Sequence, residues 1–276
     1  MVEDVVTPVG PYRLPLMCRS GVWRGPLPGG AAAVASQLRD GRIVVRAPSE
    51  DGLTRARLML ALDDDTSEFH ARFARDRLLG PTVRALCGYR PLRVATVAHA
   101  ALRAMCGQLI EAGRAIAIER SILRRLEVEV ATRDDVLRLT AADLRRHGLA
   151  MSRAATLLHL CRSLDLERLR SHDTQVVLAR LTRERGIGPW SVGVIALEGL
   201  GRYDHGLVGD LGLVKLLSAL RGEWVEADET AALLAPYEEW QGLAGLFLML
   251  GWSRGMIPGA DRDRGRHTRL RTGRAA

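Results

Sequence analysis

The feature that most constrains the fold of this chain is a long series of amphipathic helical patterns that begins near Ser67. Apolar residues recur at intervals of three and four, and this spacing places them on one face of a helix. The pattern predicts helices over residues 134–147, 152–164, 174–185, 192–200, 211–220, 229–234 and 240–250. A further helical stretch carries Leu102, Met105, Leu109, Ala112, Ile116, Ile122 and Leu126. The chain is therefore predicted to be mainly α-helical.

The first 62 residues have a different pattern. Asp40-Gly41 separates residues 33–38 from a β-branched run over 42–46, which is typical of a β-hairpin. Residues 53–62 then follow helical spacing, so this part is predicted to be a small α+β lobe. The domains expected from these patterns are an N-terminal lobe with the first linking helix over 1–85, a helical domain over 86–256 and a basic, disordered tail over 257–276.

One short motif, Gly186-Ile187-Gly188, lies between two of the predicted helices. Its glycines let the backbone approach a phosphate closely, and the unpaired N–H groups of the following helix face the same point. Ile187 would anchor this hairpin in the core, and Arg183 and Arg185 beside it are expected to touch phosphate. The motif predicts a phosphate contact that positions a protein on DNA without reading bases. Taken alone, it is also compatible with a plain turn between helices.

Asp210 follows Gly188 by 22 residues. With this spacing the sequence resembles the helix-hairpin-helix DNA glycosylase superfamily, in which an essential aspartate follows the hairpin after one helix and a loop. Residues 186–190 (Gly-Ile-Gly-Pro-Trp), 209–213 (Gly-Asp-Leu-Gly-Leu), 106–111 and 236–244 are most similar to the 3-methyladenine DNA glycosylase II branch. The resemblance covers about residues 10–252. It implies a helix-hairpin-helix glycosylase fold and excision of damaged, above all alkylated, bases in base excision repair.

The resemblance makes Asp210 the catalytic carboxylate. Breaking an N-glycosidic bond leaves positive charge on the sugar, which a carboxylate stabilises, and the same group can activate water. The alternative for Asp210 is an ordinary helix N-cap. Some superfamily members use a lysine two residues after the second glycine as a nucleophile, but this position holds Trp190. The only lysine, Lys215, is interpreted as a surface or DNA-facing cation, so the enzyme is predicted to be monofunctional.

Four further residues have two interpretations each. Trp190 and Trp240 are candidates for the pocket of a flipped-out alkylated purine, because a tryptophan face attracts electron-poor, cationic rings. Each tryptophan can instead be a core residue. Leu109 resembles the wedge that fills the space left by the extruded base, or belongs to the apolar stripe of its helix. Gln108 can bond the opposite DNA strand or only a backbone carbonyl.

The charge of the chain agrees with a nucleic-acid partner. The net charge is +8 and the pI is near 10.1, and soluble proteins this basic usually bind polyanions. A basic, solubilising surface is the alternative. The predicted partner is double-stranded DNA with damaged bases, bound by a monomer. The N-terminus does not look like a signal peptide and no stretch is apolar enough for a membrane span, so a cytoplasmic, nucleoid-associated protein is expected.

Two features of the sequence invite a metal interpretation. Cys18, Cys87, Cys106 and Cys161 lack CxxC spacing, which argues against zinc and closely ligated iron–sulfur sites and favours reduced core thiols. The run from Asp63 to Asp65 is interpreted as a solvated turn in preference to a metal site. No cofactor is therefore expected.

Two other functions remain as alternatives. A non-catalytic helix-hairpin-helix protein would keep the hairpin for binding DNA, although pure binding needs neither Asp210 nor two pocket tryptophans. A glycosylase for deaminated or oxidised bases is the second alternative, and the missing hairpin lysine argues against it.

Overall fold

The computed structural model of the chain describes residues 1–108 and 110–260. The described residues form two compact units, each made of two separate stretches. Unit 1 is Met1–Asp65 with Gly88–Arg202, and unit 2 is Thr66–Cys87 with residues 203–260. The three-part domain organisation expected from the sequence stays a prediction. Leu109 and residues 261–276 of the expected tail lie outside the described residues, so the wedge interpretation of Leu109 is also still a prediction.

A four-stranded antiparallel sheet opens unit 1, with strand order β1-β4-β3-β2. Its strands are β1 (Val2–Val6), β2 (Val22–Pro26), β3 (Ala32–Gln37) and β4 (Ile43–Ala47). The predicted hairpin at Asp40-Gly41 is confirmed, because it joins β3 to β4 with Gln37 opposite Ile43. The sequence did not predict β1 and β2. β1 is short and carries two acidic residues, and β2 contains Gly25 and Pro26, which are rare in strands.

Thirteen α-helices lie in the described part of the chain. They are α1 (Glu50–Met59), α2 (Ser67–Phe73), α3 (Gly80–Ala85), α4 (Val97–Gly107), α5 (Ala112–Leu126), α6 (Arg133–Leu137), α7 (Ala141–Arg146), α8 (Met151–Ser163), α9 (Thr174–Thr182), α10 (Pro189–Val194), α11 (Leu211–Arg221), α12 (Thr230–Leu234) and α13 (Gln241–Ser253). A π-helical segment, Ile195–Leu200, continues α10. The mainly helical fold with a small N-terminal sheet agrees with the sequence prediction.

The prediction of one helix over residues 134–147 was wrong. Two short helices, α6 and α7, occupy this stretch, and each begins with a reciprocal capping box. Thr132 and Asp135 cap α6, and Thr140 and Asp143 cap α7. A threonine hydroxyl and an aspartate carboxylate that bond each other's backbone amides start a new helix, and this local pairing prevails over the apolar periodicity.

The helical stretch from Leu102 to Leu126 also divides, into α4 and α5. Ile116, placed on its apolar stripe, is 46% exposed near the start of α5. The apolar face of α5 begins only at Ile118 and continues through Ile122 and Leu126, all of which are buried.

A buried arginine fastens the N-terminal segment to the rest of unit 1. Arg90 is completely buried, and its guanidinium donates to the carbonyls of Ala61, Val9 and Pro11. The same group lies 5.0 Å from the centre of the Tyr12 ring. The planar fork of an arginine can serve several carbonyls at once, so one side chain joins two distant stretches of backbone.

The three consecutive aspartates form a turn, but not a fully solvated one. Asp64 pairs with Arg93, whose side chain is only 3% exposed and also donates to the carbonyls of Leu58 and Gly201, each at 3.2 Å. Asp63 pairs with Arg57. Within residues 1–108 and 110–260, no group of His, Cys, Asp or Glu side chains is arranged to hold a metal ion.

A partly buried network of charged side chains joins the helices of unit 1. The carboxylate of Glu119 on α5 accepts from Nε2 of His99 at 2.9 Å and from Arg103 on α4 at 3.0 Å. Arg103 also bonds Glu198 of the π-helical segment at 2.7 Å. Burial alone would raise the pKa of Glu119, but the hydrogen bonds from His99 and Arg103 prevail and lower it to about 2. Because the amide of Ala131 donates to Nδ1 of His99, the ring carries its proton on Nε2.

The cysteines only partly follow the expectation of core thiols. Cys106 and Cys161 are buried, and burial raises the pKa of each thiol to about 12. Cys18 is half-buried and Cys87 is exposed.

Unit 2 is built around an aromatic cluster. Phe69 on α2 packs against Phe73, Phe247 and Trp240, with ring centres 5.4, 5.0 and 5.7 Å away. Tyr237 completes the cluster through Phe73. No helix among the described residues combines the length and the apolar character needed to cross a membrane.

Candidate active site

The predicted hairpin joins α9 to α10 in unit 1. The amide of Ile187 donates to the carbonyl of Glu184 at 3.1 Å, which closes a tight turn. Gly186 has a φ of +87°, a conformation that favours glycine. Gly188 is the N-cap of α10, and Pro189 follows at a position where no helical N–H bond is lost. The sequence therefore folds locally as the glycine spacing predicts.

The exposure of the hairpin residues matches their predicted placement. Ile187 is buried, whereas Gly186, Gly188, Arg183 and Arg185 are exposed. A Cβ atom added at Gly188 would meet no protein atom within 4 Å, so the backbone is open to close approach there. Contact of these residues with a phosphate stays a prediction.

Two side chains donate hydrogen bonds to backbone carbonyls of the hairpin. Nε2 of Gln108 donates to the carbonyl of Gly186 at 3.0 Å and to Oγ of Ser191 at 2.8 Å. Oγ1 of Thr156 donates to the carbonyl of Arg185 at 3.2 Å. Because a peptide unit is planar and trans, the N–H of Gly186 points away from Thr156. Gln108 thus makes the carbonyl contact that was one of its two interpretations, and a contact with DNA stays a prediction.

Trp190 is half-buried in the first turn of α10 and lies against the end of α4. A Cβ atom at Gly107 would lie 2.5 Å from Cη2 of its indole. One side of the indole ring therefore lies against the backbone of Gly107, while the side chain as a whole is only half-buried. This arrangement is compatible with a pocket wall, and the role of Trp190 stays a prediction.

Asp210 is the N-cap of α11 in unit 2. Its Oδ1 accepts from the amide of Gly212 at 2.7 Å, and its own amide donates to the carbonyl of Leu207 at 3.0 Å. The preceding residue, Gly209, has a φ of +84° and donates its amide to Oγ1 of Thr230 at 2.8 Å. The carboxylate is therefore held in a defined orientation. A carboxylate accepts several hydrogen bonds, so capping and catalysis do not exclude one another.

Trp240 lies in unit 2, immediately before α13, and is 8% exposed. Its ring is stacked on Tyr203 with centres 5.9 Å apart, and it contacts Phe69 on another side. Within the described residues its Nε1 has no hydrogen-bond partner. Glu238, two residues before Trp240, has a φ of +46°, unusual for a residue with a side chain, and pairs with Arg72. The burial agrees with the core interpretation, while the role in a pocket stays a prediction.

The predicted site residues fall into two sets. Gln108, the hairpin and Trp190 are brought together in unit 1, and Asp210 and Trp240 belong to unit 2. Sequence reasoning did not identify Thr156, Ser191 or Gly107, whose contacts connect residues far apart in the chain. It also missed Met249, whose sulfur would lie 2.9 Å from a Cβ atom at Gly212, two residues after Asp210.

These elements define a fold class: the chain has the helix-hairpin-helix fold of DNA glycosylases, as predicted from its motifs. It resembles the structure of a 3-methyladenine DNA glycosylase from Archaeoglobus fulgidus with a TM-score of 0.75 and 19% identity, over 92% of this chain and 99% of that one. An 8-oxoguanine glycosylase/lyase from Clostridium acetobutylicum, in complex with DNA containing cytosine opposite 8-oxoG, has a TM-score of 0.70 and 17% identity, over 93% and 99% of the two chains.

A similarity in sequence to a curated relative agrees with this fold. The DNA-3-methyladenine glycosylase of Bacillus subtilis is 22% identical over 204 residues, which cover 68% of this chain and 67% of the relative. No protein-family model matches the chain.

Proposed function

We propose that this protein is a monofunctional DNA glycosylase that hydrolyses the N-glycosidic bond of alkylated bases in double-stranded DNA. One observation carries the proposal: an ordered hairpin with an exposed glycine backbone and a helix-capping aspartate 22 residues after it occur together on a glycosylase fold. The relatives named above include two 3-methyladenine glycosylases, which supports an alkylated base as the substrate.

In the proposed reaction, the hairpin contacts the DNA backbone and Asp210 acts at the sugar. The bond between the sugar and the base breaks with the electron pair leaving on the base, and the sugar gains oxocarbenium character. The carboxylate stabilises this charge, orients the water that adds to the sugar and accepts the proton that this water releases. The hydrogen bond from Gly212 holds the carboxylate in place, so little reorganisation is needed during the reaction.

Trp190 and Trp240 are each a candidate for contact with an alkylated purine. Alkylation at a ring nitrogen makes the base cationic, and an indole face attracts such a ring.

The structural likeness to an 8-oxoguanine glycosylase/lyase makes an oxidised base the second candidate substrate. A lyase of the lysine type would need an amine where this chain has Trp190. The chain has one lysine, Lys215, within α11.

The test is base release from two duplexes that differ only in the lesion, one carrying 7-methylguanine and one carrying 8-oxoguanine. We expect release of free 7-methylguanine by the wild-type protein, measured by chromatography. Release of 8-oxoguanine alone would replace the alkylated substrate by the oxidised one. Release of neither base, with retained binding to the duplex, would favour the non-catalytic DNA-binding alternative.

A further inference from the structure

The end of α4 and the start of α10 touch at two neighbouring points. Gly107, the last residue of α4, lies against the indole of Trp190. Gln108, the next residue, donates to Oγ of Ser191 at 2.8 Å. Ser191 is only 1% exposed, so its side of this bond is shielded from water. Two consecutive residues of one segment therefore hold two consecutive residues of the other.

The contact at Gly107 leaves no room for a side chain. A Cβ atom there would lie 2.5 Å from Cη2 of Trp190 and 3.4 and 3.5 Å from Cζ2 and Cζ3. Carbon atoms in van der Waals contact lie about 3.5–4.0 Å apart, so the indole would have to move by about 1 Å. The atoms closest to Gly107 all belong to the outer six-membered ring of the indole.

The backbone of α10 cannot easily take up this movement. The bond between Gln108 and Ser191 fixes the residue next to Trp190, and the bond from Gln108 to the carbonyl of Gly186 fixes the hairpin before it. A side chain at position 107 would therefore turn the indole about its own side-chain bonds and leave the helix in place.

We infer that Gly107 is a specificity-determining position, because its missing side chain sets where the Trp190 indole stands. The inference rests on the proposed function, in which that indole faces the damaged base. A cationic N-alkylated purine gains from a ring face at the correct distance, and this attraction falls as the ring is displaced. A neutral base such as hypoxanthine is attracted less strongly by the same indole face, so it loses less when the ring is displaced.

The experiment compares Gly107→Ala with Gly113→Ala. Gly113 lies in the first turn of α5, and a Cβ atom there would meet nothing within 4 Å. Alanine is the better helix former at both positions, so helix propensity does not explain a loss. In Gly107→Ala we expect excision of 7-methylguanine to fall roughly two- to thirtyfold more than excision of hypoxanthine, with an unchanged Tm. Gly113→Ala is expected to excise both as the wild type does. Equal losses on both bases in Gly107→Ala would overturn the inference.

A double variant tests the same contact. Trp190→Phe removes the outer ring that meets Gly107. In the Trp190→Phe background, Gly107→Ala is therefore expected to cause no further loss. A loss as large as in the wild-type background would show that Gly107 acts through something other than this indole.

A readout without DNA separates this inference from the proposed function. Gly107→Ala is expected to change acrylamide quenching of tryptophan fluorescence, and the change is expected to vanish in the Trp190→Phe background. If the wild type releases no base from any duplex, the proposed function fails while this measurement still tests the contact. Unchanged quenching in Gly107→Ala would overturn the contact itself.

Discussion

Oδ1 of Asp210 accepts a hydrogen bond from the amide of Gly212 at 2.7 Å, so the proposed catalytic group is also the cap of α11. The two interpretations of Asp210 thus describe one side chain, and they can be separated by the choice of substitution. Asparagine caps helices about as well as aspartate but carries no charge. Alanine removes both the cap and the charge.

Asp210→Asn is expected to abolish base release while leaving the Tm and the binding of abasic-site DNA nearly unchanged, because affinity comes mostly from phosphate contacts. Asp210→Ala is expected to abolish release and also to lower the free energy of unfolding by about 1 kcal/mol. Excision rates, thermal melts and binding isotherms check both variants. Near wild-type release by Asp210→Asn would remove this carboxylate from the mechanism.

The second prediction concerns strand cutting. Trp190 stands where a lysine nucleophile would be needed, so the product is expected to be an intact strand with an abasic site. The measurement is gel electrophoresis of the reacted strand, together with borohydride treatment during the reaction. A covalent adduct of protein and DNA after reduction would contradict the monofunctional assignment, and loss of that adduct in Lys215→Met would identify the amine.

The third prediction separates two roles of Trp240. Trp240→Leu is expected to cost about 2–4 kcal/mol of stability, because the buried ring packs on Phe69 and Tyr203. Below the Tm, it is also expected to lose roughly two- to thirtyfold more activity on cationic alkylpurines than on neutral lesions. Melts and excision rates on both lesion types measure the two effects.

The matched control for Trp240→Leu is Phe73→Leu. Phe73 is a buried member of the same aromatic cluster and has no proposed contact with a base. It is expected to lower the Tm without changing the ratio of the two excision rates. If Trp240→Leu behaves in the same way, Trp240 is a core residue only.

The fourth prediction is a pH dependence of stability. The folded-state pKa of Glu119 is about 2, below its ordinary value of 4.5. A carboxylate with a lowered pKa contributes stability that is fully present above the unfolded value and is lost as the pH falls through the folded value. Glu119→Gln is therefore expected to destabilise the protein by on the order of 3 kcal/mol at pH 7, and by progressively less below about pH 4.5.

Urea unfolding of both proteins at pH 7 and near pH 3 measures this change. Glu129→Gln is the control, because the pair of Glu129 with Arg24 is more than half exposed on both sides. Its removal is expected to cost less than about 1 kcal/mol at either pH. A cost for Glu119→Gln that is the same at both pH values would contradict the assigned ionisation.

Local sequence signals predicted the parts of the fold that depend on neighbouring residues. The hairpin at Asp40-Gly41 and the buried Ile187 lie as expected, because each is determined by a few adjacent residues. The residues of the capping boxes that separate α6 from α7 are also visible in the sequence. The apolar periodicity runs through both helices, however, and it predicted a single helix there. Contacts across long separations were not predictable: Gln108 and Ser191 are 83 positions apart, and no local pattern pairs them.

The aromatic cluster of unit 2 has a consequence for synthesis on the ribosome. Phe69 leaves the ribosome about 170 residues before its partner Trp240. At roughly 5–20 residues per second, α2 waits for about 10–30 seconds with its aromatic face unpaired. Unit 1 is itself incomplete until Arg202 has been made, because its second stretch, Gly88–Arg202, is synthesised after the stretch that contains α2. Slower translation would lengthen this exposure, so the yield of folded protein is expected to depend on chaperone supply more than its final stability suggests.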